Sequence, residues 1–182
     1  MLFRSDDVPA VVGSFPEPFL DGTDGKRLPV RVECTEVAGY ACRTVTARLR
    51  SLGVPAALAA AGGAGAADTL RVIVAPWKAA QGDAAVASLA RGPVYSGVYA
   101  RFQGGTLALL DQDGRVTRRM GASVGLIAAT RIERQAPVWV VTGTDSAGVD
   151  NAARAFDAAT LHDRFAVSVG AGGALFSLPE SR

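Results

Sequence analysis

Short β-type runs alternate with helix-type stretches along most of this 182-residue chain. Residues 30–34 alternate apolar and polar side chains as a half-buried strand does. Residues 37–52 then carry apolar side chains at helical spacing, with arginines off that stripe and Gly53 as a stop signal. A strand followed at once by an amphipathic helix is a building unit of sheets with helices packed on them, so we expect an α/β fold.

The rest of the chain continues this alternation, with a break in the middle. Further strands are predicted at 54–60, 70–75, 138–142, 165–169 and 174–178, and further helices at 82–91, 121–135 and 149–156. The runs 94–102 and 106–110 flank a Gln-Gly-Gly turn, and Asp113-Gly114 leads into an exposed strand at 115–120. The prediction is a single α/β domain over residues 29–182, with a mixed sheet, helices packed on it and a central hairpin.

The first 28 residues lack this pattern. Residues 6–28 are rich in proline, glycine and aspartate, so we expect residues 1–28 to form an extended arm or linker. Residues 1–5, Met-Leu-Phe-Arg-Ser, resemble translated sequencing adapter. We therefore expect that the true start is missing, and the sequence does not show whether a signal peptide or anchor preceded it.

Charge and hydropathy exclude two classes of partner contact for the visible chain. The 19 basic and 17 acidic residues leave a formal net charge of +2, far from the balance of a nucleic-acid-binding protein. The longest apolar run, at 54–61, is rich in alanine and contains a proline, so no segment here is predicted to span a membrane. We expect no nucleic-acid partner.

A GxSxG string at residues 121–125 is the one enzymatic motif in the sequence. Ser123 would be the nucleophile of a serine hydrolase, with Asp145 and the single histidine, His162, completing a triad in a permitted chain order. A nucleophile elbow needs a buried strand before the serine, however, and the polar, arginine-containing run 115–120 stands there. The alternative places Ser123 in the first turn of a helix.

The loop after the run 138–142 is the second candidate site. Gly143, Thr144, Asp145, Ser146 and Gly148 connect a strand end to a helix start, where backbone N–H groups attract anions and where open α/β sheets bind ligands. This pattern indicates a small-anion or sugar site. The competing interpretation is that Asp145 or Ser146 caps the helix and that the glycines permit a tight turn.

The two cysteines, Cys34 and Cys42, are a candidate disulfide pair. With Cys34 at a strand end and Cys42 about one turn into the next helix, a separation of roughly 5 to 6 Å between α-carbons is reachable. Such a bond would agree with an oxidising, extracytoplasmic compartment. Two reduced, buried cysteines in a cytoplasmic domain explain the same residues, so the sequence leaves both interpretations open.

The remaining chemistry-bearing residues indicate neither a metal nor a cofactor. One histidine and two cysteines eight residues apart supply no tetrahedral ligand set, and the acidic pairs Asp6/Asp7 and Asp111/Asp113 have the composition of turns. The aromatic residues Trp77, Tyr95, Tyr99 and Phe102 could stack on a sugar or a base. Tyr95 and Tyr99 share one face of a predicted strand, which favours packing over recognition.

Two segments carry a resemblance to known domains. Residues 137–153, with a strand, a Gly-x-Asp turn, Gly-Val and an Ala-Ala helix, resemble surface-layer-type domains and the periplasmic regulatory subunit of bacterial cellulose synthases. Residues 68–74 are similar to an earlier strand of those domains, although Ala75-Pro76-Trp77 stands where they usually have glycine. The resemblance implies an extracytoplasmic, non-catalytic α/β domain and assigns no functional residues.

These features together predict a non-catalytic accessory or interaction domain of an exported bacterial protein, with or without a membrane anchor. Its partner would be a protein or polysaccharide at the cell surface, and we expect a periplasmic or cell-surface location. The serine hydrolase and the small-anion or sugar site at 143–148 are the alternatives. The sequence indicates no substrate and no oligomeric state.

Overall fold

The computed structural model describes residues 10–21, 27–36, 39–62, 68–130 and 136–181. The strands are β1 (Val30–Cys34), β2 (Ala56–Ala60), β3 (Leu70–Pro76), β4 (Ala100–Gln103), β5 (Thr106–Leu110), β6 (Val116–Met120), β7 (Gly125–Thr130), β8 (Val138–Gly143), β9 (Ala166–Val169) and β10 (Leu175–Leu178). The helices are α1 (Glu17–Leu20), α2 (Tyr40–Ser51), α3 (Trp77–Ala80), α4 (Ala84–Ala87), α5 (Pro93–Ser96), α6 (Ser146–Arg154) and α7 (Ala158–Leu161).

Seven strands form the main sheet in the order β10-β9-β7-β8-β3-β1-β2. Strands β2, β1, β3 and β8 are parallel neighbours. Strand β7 lies between β8 and β9 and runs antiparallel to both, and β10 runs antiparallel to β9. The predicted α/β class with a mixed sheet is confirmed.

One face of the main sheet is covered by α1, α2 and α6. Trp139 of β8 is 1% exposed and lies at the centre of an aromatic group, with ring centroids 4.9 Å from Phe19, 5.9 Å from Phe15 and 6.2 Å from Phe156. Phe15 and Phe19 belong to residues 10–21, so part of the expected N-terminal arm contributes side chains to the core. Burial of two aromatic rings ties this segment firmly to the sheet.

The other face is covered by α3, α4 and a second, three-stranded antiparallel sheet in the order β4-β5-β6. Trp77 and Phe102 stack there with centroids 4.4 Å apart and an interplanar angle of 5°. The predicted central hairpin is therefore present, but as part of a separate sheet that packs on the main one.

The two helical crossovers of the main sheet differ in hand. The connection from β1 through α2 to β2 and the connection from β8 through α6 to β9 move in opposite directions along the sheet. Both helices nevertheless pack on the same face and contact each other. Two parallel crossovers with these properties have opposite hands, so one of them is left-handed, whereas about 98% of such connections are right-handed.

The predicted helix at 121–135 is wrong over the part that the structure describes. Residues 125–130 form β7, and all six are buried because β8 and β9 flank them and both faces of the sheet are covered. A strand covered on both faces shows no alternation, so its apolar run resembles a buried helix. Residues 131–135 lie outside the described residues.

The segment 82–102 also differs from its prediction. Residues 94–96 belong to the helical turn α5 instead of a strand, and β4 begins at Ala100. The helix expected at 82–91 is divided into α4 and a 3₁₀ turn over Ser88–Ala90. Gly92 and Gly97, with φ of 82° and 72°, bound α5 in left-handed conformations, which explains why the β-type residues between them form a turn.

The longest helix in the described residues, α2, has 12 residues. A span of the hydrocarbon core needs about 20. No helix in this part of the chain is long and apolar enough for that.

Candidate functional site

Residues 143–148 comprise the last residue of β8, a two-residue connection and the first turn of α6, at the carboxyl end of the parallel strands. Asp145 is the N-cap of α6, and its Oδ1 accepts a hydrogen bond of 2.8 Å from the backbone N–H of Gly148. Its Oδ2 accepts a second bond of 2.8 Å from the backbone N–H of Ser123. Asp145 therefore caps the helix and also ties it to the turn before β7.

The glycines of this loop allow the backbones of three elements to meet. A Cβ added to Gly148 would lie 2.3 Å from the carbonyl oxygen of Val124, and one added to Gly143 would lie 2.6 Å from the backbone of Gly148. A Cβ added to Gly125 would lie 2.4 Å from the oxygen of Gly148. Such distances are not tolerated, so these glycines serve close packing of α6 against β7 and β8.

Ser123 is held by its backbone. Its φ is 60°, in the left-handed region, and its carbonyl accepts a hydrogen bond of 2.9 Å from the side-chain nitrogen of Asn151. The oxygen of Asn151 in turn accepts a bond of 2.7 Å from Arg154. The expectation of Ser123 in a first helical turn is wrong, because the chain goes from this turn directly into β7.

The structure does not bring His162 to Ser123. Ser123 comes just before β7, whose first residue, Gly125, pairs with the last residues of β8 and β9, Gly143 and Val169. His162 comes before β9 and so lies at the opposite end of the strands. Ser123 and His162 are therefore separated by at least the length of β9, about 10 Å. The His162 side chain is 71% exposed and lies 2.9 Å from Asp163. The triad alternative thus lacks its base, and Asp145 contacts the backbone of Ser123 rather than a histidine.

A cleft of about 530 Å³ opens beside this loop, at the carboxyl ends of β1 and β3. The chain leaves β1 towards β2 on one side and leaves β3 towards β7 and β8 on the other, so the cleft lies at the topological switch point of the sheet. This is the position where open α/β sheets bind ligands. We call it the switch-point cleft. Its lining residues are Thr35, Glu36, Gly39, Tyr40, Ala41, Cys42, Val74, Ala75, Pro76, Ala79, Ser146, Val149 and Asp150.

The lining combines apolar walls with a few polar groups. Glu36 and Asp150 are its charged residues, and none of the described lining residues is basic. The ring of Tyr40 is 45% exposed, with the guanidinium of Arg154 at 5.7 Å from its centroid. Of the predicted loop, Ser146 lines the cleft, whereas Gly143, Thr144, Asp145 and Gly148 do not. The charge of this lining opposes a small anion.

The candidate disulfide is present at one wall of the switch-point cleft. The sulfur atoms of Cys34 and Cys42 lie 2.02 Å apart, and the α-carbons are 6.0 Å apart. Cys34 ends β1, and Cys42 lies in the first turn of α2 and lines the cleft. The bond therefore fixes the start of α2 to the end of the strand beside it.

Sequence reasoning missed a buried ion-pair group on the other face. Glu33 is 1% exposed, and its two carboxylate oxygens accept hydrogen bonds of 3.0 and 2.7 Å from Arg71. Arg71 also donates a bond of 2.6 Å to Asp83, which caps α4, and Arg31 lies 3.3 Å from Glu33. The bond to Glu33 raises the pKa of Arg71 above its ordinary value, with Asp83 adding to this and burial opposing it. These contacts join β1, β3 and α4.

The other singled-out residues are accounted for by packing and turns. Trp77 and Phe102 are buried in the stack described above, whereas Tyr95 is 56% exposed on α5, with Arg91 3.6 Å above its ring. Tyr95 and Tyr99 therefore do not share a strand face as predicted. Asp111 accepts bonds from the N–H groups of residues 113 and 115 within the hairpin turn.

Asp6 and Asp7 lie outside the described residues. Within the described ranges, no group of three or more acidic, histidine or cysteine side chains could hold a metal ion. Comparisons with known protein families, with curated proteins and with solved structures found no match for this chain.

Proposed function

We propose that this chain is a non-catalytic accessory domain of an exported protein, and that it binds a neutral, hydroxyl-rich ligand such as a sugar in the switch-point cleft. The observation that carries the proposal is the cleft itself, which lies outside the carboxyl ends of β1 and β3 and is lined by Tyr40, Ser146 and Asp150. The proposed ligand site is thus the cleft, and not the backbone of residues 143–148 beside it, where the sequence pattern predicts one.

The polar lining favours hydroxyl groups over anions. The carboxylates of Glu36 and Asp150 accept hydrogen bonds, which the hydroxyls of a sugar donate, and they repel a phosphate or carboxylate. The half-exposed ring of Tyr40 supplies an apolar surface on which the C–H face of a sugar ring can rest. A volume of about 530 Å³ has the size of an ordinary small-molecule site.

The non-catalytic part of the proposal is supported by the placement of the polar groups near Ser123. Both carboxylate oxygens of Asp145 accept hydrogen bonds from backbone N–H groups, and His162 lies at the other end of the strands. A proton from the Ser123 hydroxyl would have no imidazole to accept it. Export is supported by the Cys34–Cys42 bond, since structural disulfides persist mainly in oxidising compartments.

The binding test is titration of the purified chain with cellobiose, N-acetylglucosamine and inorganic phosphate, followed by amide chemical shifts in two-dimensional NMR. We expect one of the two sugars to shift resonances of residues around Tyr40 and Asp150, and phosphate to shift none there. Tyr40→Ala should abolish the sugar shifts. Tyr95→Ala is the matched control, because Tyr95, on α5, is also an exposed tyrosine beside an arginine but does not line the cleft.

Three results would contradict the proposal. These are phosphate shifts at the cleft in place of sugar shifts, sugar shifts that survive Tyr40→Ala, and no response to either sugar. The export part is tested separately by titrating thiols in the unfolded protein with and without reductant. Two free thiols after purification from an oxidising compartment would remove the argument for export.

A further inference from the structure

Strand β2 forms an open edge of the main sheet. It pairs with β1 on one side, and no described strand lies on its other side. Its sequence, Ala-Ala-Leu-Ala-Ala, contains no charged residue, and Leu58 is 41% exposed. The edge strands of the second sheet differ, because β4 carries Arg101 and β6 carries Arg118 and Arg119. Charged side chains protect an edge from pairing, and β2 lacks this protection.

The register shows which backbone groups of β2 point outward. The N–H of Ala61 donates to the carbonyl of Cys34, so residues 57, 59 and 61 direct their backbone groups towards β1. Residues 56, 58 and 60 therefore direct theirs away from the sheet. The carbonyl of Ala56 accepts bonds from Arg50, and its N–H donates to Val54. The backbone N–H and carbonyl groups of Leu58 and Ala60 have no partner among the described residues.

The amino-acid sequence of β2, Ala-Ala-Leu-Ala-Ala, is the same in both chain directions, with Leu58 at its centre. In an antiparallel pair related by a two-fold axis at Leu58, that residue stands opposite its own copy and Ala56 stands opposite Ala60. The outward-facing residues 56, 58 and 60 are then the ones that meet in hydrogen-bonded pairs. A two-fold axis requires a surface that is complementary to itself, and this strand has that property.

We propose that β2 is a self-association surface, and that a second copy of the chain pairs with it antiparallel about a two-fold axis at Leu58. Four hydrogen bonds form, and the two at the Ala56 carbonyls replace the bonds that each carbonyl accepts from Arg50 in the single chain. The N–H of each Leu58 donates to the carbonyl of the other Leu58, and the N–H of each Ala60 donates to the carbonyl of Ala56 in the other copy. The two main sheets become one continuous sheet, with both Leu58 side chains on the same face.

The positive charge of Arg50 is compatible with the pairing. Arg50 reaches the carbonyl of Ala56, at one end of β2. In the two-fold pair the two copies of Ala56 lie at opposite ends, about 13 Å apart along the strands. This is longer than the screening length of about 8 Å at physiological salt, so repulsion between the two Arg50 side chains is weak.

The test is sedimentation velocity of the oxidised chain between about 10 µM and about 1 mM, the range in which a small interface dissociates. We expect a monomer–dimer equilibrium. Ala60→Pro should raise the dimer dissociation constant at least about tenfold, because it removes two of the four bonds. The N–H of Ala60 faces away from β1, so this proline leaves the ladder between β1 and β2 intact. Ala60→Ser keeps the N–H and is the matched control.

A charge pair makes the test independent of the proline. Leu58→Glu and Leu58→Lys should each be monomeric alone, because like charges would stand directly opposite, and an equimolar mixture should dimerise. Far-UV circular dichroism and thermal unfolding at low concentration check that each variant is folded. A wild-type chain that stays monomeric throughout the range would overturn the proposal, as would an Ala60→Pro dimer as stable as the wild type.

Discussion

Replacing Asp145 with alanine removes two hydrogen bonds from one side chain. One bond caps α6 through the N–H of Gly148, and the other holds the N–H of Ser123 in the turn before β7. Both distances are 2.8 Å, in the range of charge-assisted bonds. The change therefore tests whether this residue, a candidate for ligand binding in the sequence, is needed for the fold.

The magnitude follows from the two bonds. Loss of an N-cap aspartate lowers stability by about 0.5 to 2 kcal/mol. A second bond to a charged acceptor contributes about 1.5 to 3 kcal/mol, and partial exposure of Asp145 reduces it towards the lower value. We expect Asp145→Ala to lower the free energy of unfolding by about 2 to 4 kcal/mol.

The assay is urea denaturation of the oxidised protein, followed by the fluorescence of Trp139 and Trp77. Asp157→Ala is the matched control, because Asp157 caps α7 through a single bond of 2.8 Å to the N–H of Thr160. It should cost about 1 kcal/mol, the value of a cap alone. The difference between the two variants measures the tie between Asp145 and Ser123.

Equal losses for Asp145→Ala and Asp157→Ala would refute this reasoning, since the second bond of Asp145 would then contribute nothing. If Asp145→Ala lowers the free energy of unfolding by less than about 0.5 kcal/mol, the capping bond of Asp145 also contributes no measurable stability.

Three further changes test other contacts by the same denaturation assay. Glu33→Ala leaves Arg71 with one carboxylate partner in a buried position and should lower the free energy of unfolding by about 3 kcal/mol. Asp113→Ala breaks the exposed pair with Arg115 and should lower it by less than about 1 kcal/mol. Similar losses of stability for the two variants would contradict the importance of burial. Gly125→Ala should cost at least about 1 to 3 kcal/mol because its Cβ meets backbone, and Gly121→Ala, with nothing within 4 Å, should be neutral; a neutral Gly125→Ala would refute the close approach. Replacing Cys34 and Cys42 together by alanine should cost about 2.5 kcal/mol, the loop-closure term for a separation of 8 residues; a double variant as stable as the oxidised protein would show that the bond does not constrain the unfolded chain.

The sequence was sufficient for two strand–helix pairs whose members lie close together in the chain, β1 with α2 and β8 with α6. Strand β1 was predicted with its observed bounds, and the runs that became β8 and α6 were recognised from their apolar spacing. The disulfide was one of two interpretations that the same local reasoning left open, because a strand end and the first turn of the next helix are held a short distance apart by the chain itself.

Strand β7 could not be recognised by the same signals. Its side chains on both faces are buried, so the period-two alternation of a half-exposed strand is absent from Gly-Leu-Ile-Ala-Ala-Thr. The position of β7 between β8 and β9 is set by pairing with residues that follow it in the chain. No local pattern contains that information.

The candidate site shows the same limit. Capping by Asp145 was one of two interpretations open from the sequence, but its bond to Ser123 joins residues 22 positions apart and depends on β7 lying beside β8. The switch-point cleft depends on the order of β1, β3 and β8 in the sheet. The pairing of Glu33 with Arg71 depends on the register of β1 and β3, which local spacing does not reveal.

The register of β8 has a consequence for residues 77–124. Pro76 and Gly125 are both register partners of Gly143, one on each side of β8. The polypeptide thus departs from the main sheet and rejoins it at points two strand spacings apart, about 10 Å, a gap that three or four residues can bridge. Residues 77–124, with their own small sheet, are therefore topologically an insertion. A change in the length of this segment would alter no pairing among the seven main strands, provided that the segment still shields their second face from water.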